Sequence, residues 1–172
     1  MAIADAPSIP ADEHVYIGWV PSIADQEAPS LGTDLATITD LSCWFTPDGW
    51  TPALSESVAS DPRLCSAQIF ERPGTYTRSL DVVYIDQTNG GGETPLPNTA
   101  KETFVPNGEG FLVVRRGKLY DTALAEGDVV ETIPVQHGRY SNLPPETNSV
   151  LKIGQKMFIT GPVVEAEIVD GS

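Results

Sequence analysis

The chain has 172 residues and 18.4 kDa, of which 40% are hydrophobic and 20% charged, enough apolar material for one core of ordinary domain size without a disulfide framework. Ten Lys and Arg against 24 Asp and Glu give a net charge of −14, which disfavours a protein that grips nucleic acid through its average surface. No apolar run approaches the ~18 residues of a membrane span, and the residues before His14 carry acids but no basic stretch, so neither a Sec-type signal nor a membrane anchor is expected.

Taken in chain order, Val15 to Val20 reads as a strand and Pro21 to Ala36 as a long polar loop. No Lys or Arg precedes Arg63, whereas that stretch holds ten acids, so this third of the chain is strongly anionic. The three tryptophans, Trp19, Trp44 and Trp50, also lie there. Leu54 to Ala59, ending before Asp61-Pro62, reads as a short helical turn, and Leu64 to Phe70 as a strand. In Thr77 to Asp86, Leu80, Val82 and Tyr84 share one parity while Thr77, Ser79 and Asp81 take the other, the period-two pattern of a half-buried strand. Gln87 to Pro97, with Gly90, Gly91 and Gly92, follows as a flexible loop.

Asn98 to Val105, bracketed by Pro97 and Pro106, is the best helix candidate, two turns at most with Asn98 as N-cap. Phe111 to Val114 is apolar on both faces and is expected to leave the core at Arg115-Arg116-Gly117. Asp128 to His137 alternates less cleanly, and its Pro134 belongs at an edge or a bulge because it has no N–H for a ladder. Gly138 to Thr147, with Pro144 and Pro145, reads as a third long loop. Leu151, Ile153, Met157 and Ile159 share a parity opposite to Lys152 and Lys156, and Val164, Ala166 and Ile168 alternate with Glu165 and Glu167. Fifteen prolines and fifteen glycines nearly exclude long helices. Six or seven strands and one short helix describe a single mainly β domain, an antiparallel β-sandwich or open barrel with long loops.

Motifs of chemistry are thin. There is no G-x-S-x-G, H-E-x-x-H or P-loop, since Gly90-Gly91-Gly92-Glu93 lacks the Lys and Ser/Thr that meet phosphates. Cys43 and Cys65 have no metal spacing, and only His14 and His137 could join them; the two could pair with each other, but free buried thiols are the expectation. His137, beside Arg139 and Tyr140, has no identifiable nucleophile nearby and reads as a partly buried histidine at a turn. No catalytic, cofactor or metal site is therefore assigned. Trp44 and Trp50, flanking Thr46-Pro47-Asp48-Gly49, read equally as core packing or as an exposed pair that stacks on sugars or plugs into a neighbouring subunit. Arg115, Arg116 and Lys118 form the one concentrated basic spot, which on an acidic protein fits the acids of an identical neighbour.

Several segments taken together carry a resemblance. Leu41-Ser42 and Thr46-Pro47-Asp48-Gly49-Trp50, then the run from Asp61 to Gly74, then Phe111 to Gly117, and finally Pro144 to Lys152 continuing into Gln155 to Gly161, resemble in order the major tail tube proteins of long-tailed phages of actinobacteria. The resemblance spans about residues 41 to 169; residues 1 to 40 share it least. It implies a non-enzymatic virion protein whose subunits close into hexameric rings. The rings would stack into a tube that conducts DNA and surrounds a tape-measure protein during assembly. Tail terminator and baseplate proteins would meet its ends, and assembly would take place in the host cytoplasm. Six copies at −14 would carry −84 per ring, so acids on the bore would repel passing DNA. Gly90 to Gly92, Pro144 and Pro145 become candidate inter-ring contacts, and Arg115, Arg116, Lys118, Trp44 and Trp50 candidate subunit contacts. The competing readings are a carbohydrate-binding β-sandwich using Trp44 and Trp50 as platforms, and a phage head decoration protein.

Overall fold

The computed structural model describes residues 8–90 and 97–171. Their strands are β1 (Val15–Val20), β2 (Thr39–Asp40), β3 (Phe45–Asp61), β4 (Phe70–Ile85), β5 (Glu109–Arg116), β6 (Val129–Asn142), β7 (Lys152–Ile159) and β8 (Val164–Glu167). They form one antiparallel sheet in the order β2-β1-β5-β6-β7-β4-β3, with β8 paired to the first half of β6. Strands from both ends of that order share one apolar cluster: Ile17 of β1 and Leu112 of β5 meet Leu80, Val82 and Tyr84 of β4. The sheet therefore curls around its core into a half-barrel, rather than forming the two facing layers of a sandwich. Leu41, Ala100 and Phe104 from the connecting segments complete that core. On the outer face of β1, β5 and β6, a second cluster of Val20, Val113, Val130 and Ile168 is covered by Ile23 and Leu35 from the segment between β1 and β2.

Alternation sets the register. β1 and β5 pair from Val15↔Arg116 to Val20↔Phe111, which puts Ile17 and Val114 on the inner face and Val20 and Val113 on the outer one. In β7, Ile153, Gln155 and Met157 are buried and Lys156 exposed, as the parity predicts, but Leu151 lies just outside the strand and is 58% exposed. Gln155 occupies a core position because every polar group it offers is used. Tyr84 Oη donates to its Oε1 at 2.9 Å, and its Nε2 donates to the carbonyls of Phe104 (2.9 Å) and Gly138 (2.8 Å).

Four expectations are corrected. Leu54 to Ala59 is strand rather than helical turn, because pairing of β3 with β4 overrides its local preference. Residues 64–69 form the turn of that hairpin, and β4 begins only at Phe70. The chain after His137 continues as strand to Asn142 through a bulge between His137 and Tyr140, so the loop is confined to residues 143–151. Asn98 stands at the N-terminus of the only α-helix among the described residues, α1 (Thr99–Thr103), yet makes no capping bond; its Nδ2 donates instead to Asp86 Oδ1 at 3.1 Å.

Pro134 lies inside a central strand, at the one place where its missing N–H costs no ladder bond. Its carbonyl accepts from Thr160 N at 3.0 Å, and on that side of β6 the partner changes from β8 (through Thr132↔Val164) to β7 (from Val135↔Ile159).

Candidate assembly surface

The longest feature is a hairpin that leaves the sheet. β3 and β4 are 17 and 16 residues long, but only their sheet-proximal ends touch the core. From Ala53↔Ser79 to Asp61↔Phe70 the two strands pair with each other alone, and the residues on both faces are exposed or half-buried. At ~3.3 Å per residue this ribbon projects roughly 30 Å. It presents Leu54 (58% exposed), Val58 (61%), Ile69 (61%) and Tyr76 (66%), and Leu64 at its tip. An isolated two-stranded ribbon with apolar side chains exposed is marginal in water. At the tip Asp61 accepts from Arg63 (2.9 Å) and Arg72 (3.1 Å), exposed pairs that position the turn and add little stability.

The basic cluster separates into three different roles. Arg115 is 1% exposed, on the outer face of β5. Its guanidinium donates to Asp128 Oδ2 (3.1 Å) and to the carbonyls of Ala123 (3.1 Å), Leu119 (2.8 Å) and Thr122 (2.7 Å). It therefore ties down the 117–127 loop and is not available to a neighbour, which corrects its reading as a surface contact. Lys118 donates to the other Asp128 oxygen. Burial alone would raise the Asp128 carboxyl; the bonds from Lys118, Arg115 and Ala125 N–H outweigh it and hold the group below the usual carboxylate range. Arg116 points the other way and is exposed.

The remaining candidates are dispersed. Trp44 and Trp50 are half-buried and pack against the inner core, Trp50 edge-on to Phe45 at 5.6 Å between centroids, so they do not form an exposed pair. Gly90 closes a turn through its N–H to Gln87 O (2.8 Å); Gly91 and Gly92 lie outside the described residues. Pro144 and Pro145 are exposed in the β6–β7 turn. Cys43 and Cys65 are free but exposed, contrary to the expected burial, Cys65 in the hairpin turn. His137 is a core residue, 1% exposed and edge-on to Phe104 at 5.1 Å. Its Nδ1 donates to Val105 O at 3.2 Å, and burial pushes its basicity down. Among the described residues no group of three or more His, Cys, Asp or Glu is placed to hold a metal ion, and no helix is long and apolar enough to cross a membrane.

The ribbon escapes a periodicity search because alternation marks a strand with one wet and one dry face, and this segment has two wet ones. Its available signal is composition: Thr75-Tyr76-Thr77 is rich in strand formers, although Pro52 and Pro73 mask it.

Comparison with known proteins adds two findings. The sequence pattern of a family described as phage tail tube protein matches residues 3–172. A chain in the cryo-EM structure of the anti-feeding prophage (AFP) baseplate, 6-fold symmetrised, superposes with a TM-score of 0.54 over 94% of this chain and 97% of that one, at 11% identity, a likeness of fold. No curated protein matches the sequence.

Proposed function

The chain belongs to the phage tail tube protein family, a structural component of the virion tail, and from that premise we propose that six copies close into a ring and that the rings stack into the conduit for DNA ejection. The observation that carries this reading is the hairpin: a ribbon of roughly 30 Å with apolar side chains on show, whose outer strands hydrogen-bond only to each other among the described residues, suits a docking element for another subunit. The curl of the sheet supports the ring, since a half-barrel leaves β2 and β3 as open edges that a neighbour can extend. A fold shared with a chain from a sixfold-symmetrised baseplate favours six as the number.

The net charge of −14 gives such a tube a wall that passing DNA does not stick to. During assembly in the host cytoplasm the bore would hold a tape-measure protein, with terminator and baseplate proteins at the ends. The resemblance over residues 41–169 favours a long-tailed actinobacteriophage. On this reading the chain is one tail-tube domain throughout, and Pro144, Pro145 and the Gly90–Gly92 segment are secondary ring contacts. The carbohydrate-binding alternative needs Trp44 and Trp50 as an exposed platform, and both are packed against the core.

Negative-stain electron microscopy with mass photometry, on the purified protein over a range of salt concentrations, tests the proposal. Hollow tubes or rings with sixfold end views are expected. The same protein with residues 54–78 replaced by a two-residue turn is expected to keep its thermal melt and form no tubes. A wild-type protein that stays a compact monomer at every salt and protein concentration would count against it.

A further inference from the structure

The inner face of the half-barrel ends in a groove of about 540 Å³ between the base of the hairpin and β1, β5, β6 and β8. Its apolar lining includes Val15, Trp50 and Val114. It also carries Arg78 and Arg116, and neither guanidinium forms an ion pair among the described residues. Glu131 and Glu165, direct cross-strand partners, line the side where β6 meets β8. Two unpaired arginines beside an apolar patch stand out on a chain with 24 acids and ten bases. They suit a partner that brings carboxylates on an apolar surface.

The projecting ribbon has such a surface. Leu80, Val82 and Tyr84 of β4 face the inner core, and Arg78 and Tyr76 continue that parity into the ribbon, opposite Leu54 and Glu56. The register shift between Glu56 and Val58 places its extra residue on β4, so β3 keeps its parity. The same face therefore goes on to carry Val58 opposite Pro73 and Ser60 opposite Glu71. Glu56, Val58, Glu71 and Pro73 line one shallow hollow with Ser57 and Arg72. Val58 is 61% exposed, and neither glutamate forms an ion pair among the described residues. An apolar patch with two free carboxylates is the counterpart of an apolar groove with two free guanidiniums.

The two surfaces do not meet within one chain. Glu71 lies seven residues beyond Arg78 on the same strand, roughly 23 Å at ~3.3 Å per residue, and pairing with β3 holds that strand extended. We propose that the groove receives the ribbon of a second copy, with its Val58 and Pro73 on the Val15–Trp50 lining and its Glu56 and Glu71 held by Arg78 and Arg116. The proposal rests on the assembly reading above and names the surface that the hairpin reaches. Glu131 and Glu165 repel a ribbon displaced toward β8 and so fix its position. Because ribbon and groove are different patches of one chain, the contact is head-to-tail, and every copy gives one ribbon and receives another.

The test places the photoreactive residue benzoylphenylalanine at position 58 of the full-length protein and irradiates it over a range of salt concentrations, with assembly followed by electron microscopy. Cross-linked peptides are then sequenced after denaturation. The expected product is a link between chains, from residue 58 to the groove lining around residues 15, 50 or 129. Its yield should fall at least fivefold with Glu71→Lys or with Arg116→Glu, and return when the two changes are combined. Both residues are exposed, and an unchanged thermal melt shows that each variant subunit folds. Assemblies that give no link between chains, links away from the groove, or a yield indifferent to Glu71 and Arg116 would overturn this docking and leave the assembly reading standing. A protein that forms neither assemblies nor links between chains at any salt concentration would overturn both.

Discussion

Arg115 sits in an apolar strand and is among the most buried side chains of the protein, held by Asp128 and three loop carbonyls. Replacing one partner leaves the other charge stranded, so Arg115→Met is expected to cost about 3–5 kcal/mol in chemical denaturation, and Arg115→Met with Asp128→Leu distinctly less than the two single changes summed. From the sequence this arginine looked like the end of a strand leaving the core, because a period-two reading sees a charge after four apolar residues and cannot see the carbonyls that will receive it. Gln155 was hidden for the same reason: its parity was legible, its three partners were not.

His137 gives a pH signature. Its folded-state basicity lies below the ordinary value near 6.5, so the unfolded chain binds the proton first. Stability is therefore expected to fall as pH drops through about 6.5 and to level off below the folded-state value. Asp128 acts lower: its depressed carboxyl contributes stability above about 3.9 that is lost as pH falls further. Urea midpoints from pH 8 to 4 for the wild type and His137→Gln check the first step, which the variant should lack whatever its overall stability.

Among the elements, those with one dry face were readable in advance. β1 has the bounds its sequence implied, β7 keeps its expected inner face, and β8 keeps its alternation with its apolar parity turned to the outer cluster, where Ile168 packs, because burial on one side writes a period of two into the chain. The outer half of β3 and β4 is written under no such pressure, and β6 beyond His137 is interrupted by a bulge that resembles a loop in sequence. In the ribbon, changes should separate folding from assembly. Leu54→Asp or Val58→Asp is expected to move the melting temperature of the subunit by less than the scatter of the measurement, since neither side chain is buried. Either is expected to raise the concentration needed for tubes, by light scattering, by tenfold or more, as about 1.4 kcal/mol of lost apolar burial would.

For the whole molecule the dominant quantity is charge. Subunits of −14 repel one another as they approach, while the surfaces proposed to join them are apolar or edge strands. Raising ionic strength from ~0.01 to ~0.15 M shortens the screening length from about 30 to about 8 Å. The critical concentration for assembly is expected to fall steeply over that range and flatten above it. Sedimentation at a series of salt concentrations measures it; an assembly weakened by salt would indicate that ion pairs, rather than apolar cover, hold the subunits together.

The hairpin also divides the pressures under which this protein evolves. Between Ala53 and Ser79 almost no side chain contributes to the folded subunit, so a library selected only for soluble, folded protein would drift freely there. If the ribbon docks as proposed, a library selected for infectious particles would hold the same stretch nearly fixed, because each accepted change must suit the surface it docks on. The ratio of variation between the two selections, position by position, would map the neighbour's footprint onto the ribbon without a structure of the assembled tail.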